Sequence, residues 1–157
     1  ADNRYGRQWF PLSLAGLHLI DNDVRHAAPV LDAFLDAELA GLGLGNDSLA
    51  LVGFRQGTMM ALHVGPRRPR SIAGIVGYSG MLAAPDALVA EATGRPPILL
   101  VHGEADPLVP VMALHAAVPV LGTAGFVVEW HVSPGLEHGI DAVGLQLGGQ
   151  FLRRVLA

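Results

Sequence analysis

Apolar positions along the chain alternate between short unbroken runs and longer periodic stretches. After a cap at Asp21 or Asn22, the positions Val24, Ala27, Ala28, Leu31, Leu35, Leu39 and Leu42 recur at three- and four-residue spacing. That spacing predicts a helix with one buried face, ended by Gly41, Gly43 and Gly45. Pro29 either kinks this helix or marks its first turn. The runs at 49–53, 71–78, 97–103 and 126–132 read as strands, and 71–78 has the near-continuous apolar pattern of a parallel strand covered on both faces. Between them lie helices over about 56–64, stopped by Gly65-Pro66, and over 109–122, with a loop and short helix at 81–92. A terminal helix over 140–156 is weakened by Gly148-Gly149. Residues 1–20 read as irregular, with Trp9-Phe10-Pro11-Leu12 as an aromatic knot that plugs the core or walls a substrate pocket. Strands alternating with helices at this spacing imply right-handed βαβ units, hence an α/β fold with a parallel sheet and helices on both faces.

Composition adds that the 157 residues form one compact domain: 51% are apolar and only 15% charged. A net charge of -4 and the absence of a long basic run argue against nucleic acid as a partner. The one basic cluster, Arg67, Arg68 and Arg70, is expected in a solvated, proline-rich turn. No apolar run reaches a membrane span, so stable membrane insertion is not expected, and the start lacks a signal-peptide pattern. A cytoplasmic setting is the default expectation. There is no cysteine, and the seven histidines show no ligand spacing, so neither a metal nor a cofactor is expected. Gly41, Gly43 and Gly45 precede a strand instead of opening a helix after one, which excludes a phosphate loop.

Candidate chemistry centres on Gly53-Phe54-Arg55-Gln56-Gly57, where a strand turns straight into a helix. Small residues are needed where the two backbones nearly touch, and the central residue is forced into a strained conformation with its side chain held up from the sheet. In open parallel sheets ligands bind at the carboxyl ends of strands. The loops there carry Arg55, Asp106 and His138. An acid and a base in this order fit a charge-orienting carboxylate and a proton-accepting imidazole. Ser79, in Gly77-Tyr78-Ser79-Gly80, lacks the strand-to-helix corner and reads as a structural turn.

The chain resembles the carboxylesterase, lysophospholipase and acyl-protein thioesterase branch of the α/β-hydrolases. The likeness runs through Gln8-Trp9-Phe10-Pro11-Leu12, the corner at 53–57, Gly77-Tyr78-Ser79-Gly80, the stretch His102 to Pro110 and Gly135-Leu136-Glu137-His138. It implies that residues 53–57 are the nucleophile elbow, with Arg55 in the nucleophile's place, Asp106 as triad acid and His138 as triad base. It further implies that the Gln56 backbone N–H is an oxyanion donor and that Trp9, Phe10, Leu108 and Val109 contact substrate. Two departures stand out. Family members have serine where this chain has Arg55, and they carry N-terminal strands with a second oxyanion loop that residues 1–20 do not match. A partial α/β-hydrolase domain with an exposed sheet edge beside 49–53 is therefore expected, completed by a partner, an oligomer, a missing segment or a cover from residues 1–20.

Two functions remain open at this level. By resemblance the chain is a carboxylic-ester hydrolase acting on small esters, lysophospholipids or acyl thioesters, inactive as written because a guanidinium is no nucleophile. Alternatively it is a non-catalytic scaffold in which Arg55 blocks the cleft, pairs with Asp106 or binds an acidic group.

Overall fold

The computed structural model describes residues 2, 3, 6–11 and 17–157. In chain order it comprises a two-strand hairpin of β1 (Asp2–Asn3) and β2 (Gly6–Arg7), then α1 (Leu17–Leu42), β3 (Ala50–Phe54), α2 (Gln56–Arg67), β4 (Gly74–Tyr78), α3 (Leu88–Glu91), β5 (Ile98–Gly103), α4 (Met112–Thr123), β6 (Val128–Ser133) and α5 (Ala142–Val155), with 3-10 turns at Asn46–Ser48 and Pro85–Ala87. Strands β3 to β6 pair in parallel in the order β3-β4-β5-β6. Each neighbour in the sheet is thus the next strand in the chain, with a helical crossover between, as the α/β expectation requires.

Successive side chains of a strand point to opposite faces, and here the two faces are covered unequally. Leu51, Ile75, Ile98 and Leu100 face a large core built with α1, α2 and α4, including Val24, Met60, Leu62 and Leu121. Val76, Tyr78, Leu99 and Val101 face α5 through Phe151. On β3 the α5 side is bare: Val52 is 58% and Phe54 40% exposed, and β3 is an edge of this sheet among the described residues.

A single buried cation locks the larger layer. The Arg68 side chain, 1% exposed, donates to Asp32 (2.5 Å), Asp36 (2.7 Å) and Asn46 (2.7 Å). A guanidinium out of water is tolerable only when its donors are satisfied, so this clasp fixes α1 against the C-terminus of α2. Arg67 pairs with Glu91, which also receives Arg25. The basic cluster expected in a solvated turn is therefore largely consumed in ion pairs, with Arg70 left exposed.

Several boundaries differ from the sequence reading, for packing reasons. The stretch taken as irregular contains the hairpin, and α1 begins before the expected cap, at Leu17. Pro29 lies inside α1 instead of opening it. Gly65-Pro66 does not stop α2, which runs to Arg67. A β-carbon on Gly65 would sit 2.7 Å from Ile75 Cδ1, so this glycine gives close helix–sheet contact and does not break the helix. Gly148 has a similar purpose. Tyr78, whose pKa burial raises, donates its hydroxyl to the Gly144 carbonyl at 3.0 Å, and the Gly148 Cα lies directly against that hydroxyl. The Leu12 end of the aromatic knot lies outside the described residues.

Two expectations follow. A β-carbon on Gly148 would overlap the Tyr78 hydroxyl, whereas one on Gly149 meets nothing within 4 Å. Gly148→Ala should therefore destabilise by about 2 kcal/mol or more through overpacking, and Gly149→Ala should stabilise by up to about 1 kcal/mol through helix propensity, both read from urea unfolding midpoints. The second concerns His63, buried between α1 and α2, whose pKa is pushed down to about 4 by burial, then by Arg67 and Arg25. Its neutral form is the folded one, so its stabilisation is complete above the unfolded value near 6.5 and drains away as pH falls toward 4. Stability measured between pH 7 and pH 4 should fall, and His63→Leu should flatten that limb.

Candidate active site

The corner between β3 and α2 is built from contacts that allow few alternatives. Arg55, which caps α2, has φ 52° and ψ -112°, a region a non-glycine residue rarely occupies. Such a conformation costs about 1–3 kcal/mol and persists only when its surroundings enforce it. They do so here through Tyr78, whose carbonyl accepts from the Arg55 N–H (2.9 Å) and from the Thr58 hydroxyl (2.8 Å). Gly53 is required because a β-carbon there would collide with the backbone of Gly57 and Thr58. Gly77 and Gly80 accommodate Thr58, whose Cγ2 would lie 2.6 Å from a β-carbon on either.

The loops after β5 and β6 are stitched together and hold the acid and the base. Glu104 N–H donates to the Ser133 carbonyl (3.0 Å) and Ala105 N–H to that of Leu136 (2.9 Å). The carbonyls of Leu136 and Glu137 lie so close over Gly103 that no side chain fits there. Within this frame Asp106 Oδ1 accepts from the N–H groups of Leu108 and Val109, both at 2.9 Å, and Oδ2 accepts from His138 Nδ1 at 2.7 Å. Burial works to raise the Asp106 pKa, but the Val109 amide, the His138 ring and the Leu108 amide together hold it below the ordinary carboxylate value. Because an ionised carboxylate only accepts, Nδ1 carries the ring proton of neutral His138. Nε2 then presents a lone pair, and it is buried with no partner among the described residues. A second ring, His102, donates from Nε2 to the Val109 carbonyl (2.7 Å) and lies 3.6 Å from Asp106 Oδ2.

The corner and this pair meet at the end of the sheet. The ring of Phe54, the residue before Arg55, contacts the His138 ring with centroids 4.8 Å apart. Arg55 does not pair with Asp106, contrary to one expectation: both Asp106 carboxylate oxygens are already occupied, and the Asp106 side chain is fully buried. Arg55 instead lines a cleft of about 260 Å³ whose walls include Phe10, Met59, Met81, Leu108 and Val109. Trp9 lies apart from this cleft, on a neighbouring cavity of about 810 Å³ that also takes in Phe10, Asp23 and His26. Gln56 holds the Trp9–Phe10 segment across the top: its Oε1 accepts from Trp9 N–H and its Nε2 donates to the Phe10 carbonyl, both at 3.0 Å. Its own backbone N–H is the first of α2, one of the four that a helix leaves without an internal acceptor.

Sequence reasoning pointed to Arg55, Asp106, His138, Phe10, Leu108 and Val109, of which the structure places Arg55, Phe10, Leu108 and Val109 on this cleft and Asp106 in contact with His138. It missed the Gln56 side chain, Thr58, His102, Met59, Met81 and Asp23. Met59 carried a readable signal, since it stands one helical turn after Arg55 and so shares its side of α2. Ser79 is buried at φ 48°, its hydroxyl 3.5 Å from the Gly139 carbonyl, and sits on a turn as expected. Among the described residues no group of three or more His, Asp or Glu is placed to hold a metal ion, and no helix is long and apolar enough to cross a membrane.

A family model described as phospholipase/carboxylesterase matches residues 1–156. The chain belongs to the phospholipase/carboxylesterase family. Among its relatives, acyl-protein thioesterase 1 of Schizosaccharomyces pombe is 37% identical over 105 residues, covering 64% of this chain and 46% of the relative. Esterase YpfH of Escherichia coli is 29% identical over 154 residues, covering 96% and 64%. The crystal structure of esterase PE8 superposes with a TM-score of 0.93 at 42% identity, over 98% of this chain and 73% of that one. The chain thus spans about half to two thirds of the length of these curated relatives.

In this family member the tightness of the corner predicts opposite outcomes for its two glycines. Gly53→Ala should destabilise by more than about 3 kcal/mol or prevent folding, because backbone must move to admit it. Gly57→Ala, with open space around the added carbon, should fold with stability changed by less than about 1 kcal/mol. Thermal unfolding of the two variants checks the pair.

Proposed function

We propose that this chain is the framework of a serine-type carboxylic-ester hydrolase in which Arg55 occupies the nucleophile's place, so that the chain as written does not form an acyl-enzyme. The observation that carries this reading is the 2.7 Å bond between His138 Nδ1 and Asp106, fixing a base tautomer beside the strained corner at Arg55. With a serine at position 55, His138 Nε2 would take the hydroxyl proton as the oxygen attacks the carbonyl carbon, then return it to the leaving group. Asp106 would hold the ring in place and stabilise its cation, while the Gln56 N–H would donate to the developing oxyanion. Water would then hydrolyse the acyl intermediate with His138 again as base. The apolar wall of Phe10, Met59, Met81, Leu108 and Val109 suits the acyl portion of a small ester, lysophospholipid or acyl thioester. Family membership and the esterase and thioesterase relatives support the substrate class.

A guanidinium at position 55 cannot perform the attack, which leaves at most the residual catalysis that binding and oxyanion donors provide, roughly 10³ to 10⁴ over water. A short-chain nitrophenyl ester should accordingly show negligible turnover with the unaltered chain. Arg55→Ser should gain measurable but modest activity, since one missing oxyanion donor costs about 10²- to 10³-fold, and adding His138→Ala should remove the gain. An Arg55→Ser protein that folds normally and stays inert, or whose gained activity survives His138→Ala, would overturn the reading.

A second reading rests on the bare α5 side of β3, where Val52 and Phe54 are exposed on an edge strand. In it the chain is a non-catalytic scaffold, and polypeptide from outside these 157 residues completes the sheet by pairing with β3.

A further inference from the structure

We propose that the cleft at the corner binds the carboxylate of an aliphatic acid, with Arg55 as the group that holds the charge. The inference rests on the reading of position 55 given above and extends it from an absent nucleophile to a present anion site. Arg55 lines the cleft, yet among the described residues its guanidinium has no ion pair and no hydrogen bond. The other arginines that line a pocket within the larger layer, Arg25 and Arg67, both contact Glu91. Directly after Arg55 comes the first N–H of α2, aligned with the positive end of a 12-residue helix. His138, whose ring contacts that of Phe54, lies outside the lining of this cleft and is not needed for the anion site. The Arg55 guanidinium is thus left without an acceptor among the described residues, in a cleft whose lining is otherwise dominated by Phe10, Ile20, Met59, Met81, Leu108 and Val109. A guanidinium fork matches a carboxylate bidentately, and the apolar walls fit an unbranched chain. Among the described residues of the lining the one acid, Asp23, opposes an anion and limits affinity.

The proposal separates cleanly from a purely apolar pocket. Sodium octanoate and octanol present the same chain with and without the charge. Titrated into the full chain and followed by protein NMR, octanoate should bind at least about tenfold more tightly than octanol, the scale of one charge-assisted hydrogen bond. Arg55→Gln should abolish that preference while leaving octanol affinity unchanged, with a normal spectrum establishing that the variant folds. Asp23→Asn, which removes the opposing charge and leaves the corner intact, should tighten octanoate binding. Equal binding of the two ligands, or an octanoate preference that survives Arg55→Gln, would overturn the anion site. The ester-hydrolase reading fails separately, on an inert Arg55→Ser protein, so the two can be told apart: activity gained without a carboxylate preference removes only this inference, and a carboxylate preference without activity removes only that one.

Discussion

The contact on which the site depends is the approach of Gly53 to the backbone of Gly57 and Thr58, closer than any β-carbon permits. With β3 and α2 forced so near each other, the chain has a single residue in which to reverse from extended to helical. The strain therefore concentrates at Arg55, whose φ of 52° no ordinary packing would favour. Tyr78 then acts as the counterweight from the neighbouring strand, accepting two hydrogen bonds on its carbonyl and donating one from its hydroxyl to α5. One tyrosine so connects the corner, the sheet and the smaller helical layer. Because the corner is enforced by glycines and by β4, its geometry does not depend on which side chain position 55 carries.

That independence explains what could and could not be read from the chain. The parallel sheet was legible because 98–101 and 72–78 are near-continuous apolar runs, and the corner because Gly53 and Gly57 flank it. Asp106 and His138 were legible from their places after strands β5 and β6. What escaped were features fixed by tertiary packing. Gly65 and Gly148 look like helix breakers in sequence, yet they give α2 and α5 close access to Ile75 and Tyr78, so tertiary contact overrides local propensity. Arg68 sits in a stretch that reads as a solvated turn, and only the fold brings Asp32 and Asp36 to it from α1. The Gln56 side chain bonds residues 46 and 47 positions away, a distance no periodicity encodes.

Two arginines in this small domain illustrate opposite solutions for a permanent charge. Arg68 is withdrawn from water but has three side-chain oxygen acceptors, and it behaves as a structural rivet between helices. Arg55 is half-buried and unpaired among the described residues, standing on a largely apolar cleft at the start of α2. A cation can be a fixed part of the interior only when its partners come with it; left without them at the mouth of a cleft, it shapes which ligands can enter.

The clasp made by Gln56 gives the cleft a mechanical property. Its amide bonds Trp9 N–H and the Phe10 carbonyl as a neighbouring strand would, so a side chain at the start of α2 substitutes for backbone pairing in holding the roof. Roof and floor are consequently joined through one residue, whose side chain supports Phe10 while its main chain stands next to position 55. A displacement of the first turn of α2 would therefore be felt at Phe10 through these two hydrogen bonds. The roof of the cleft and the first turn of α2 are in that sense a single lever, with Gln56 as its pivot.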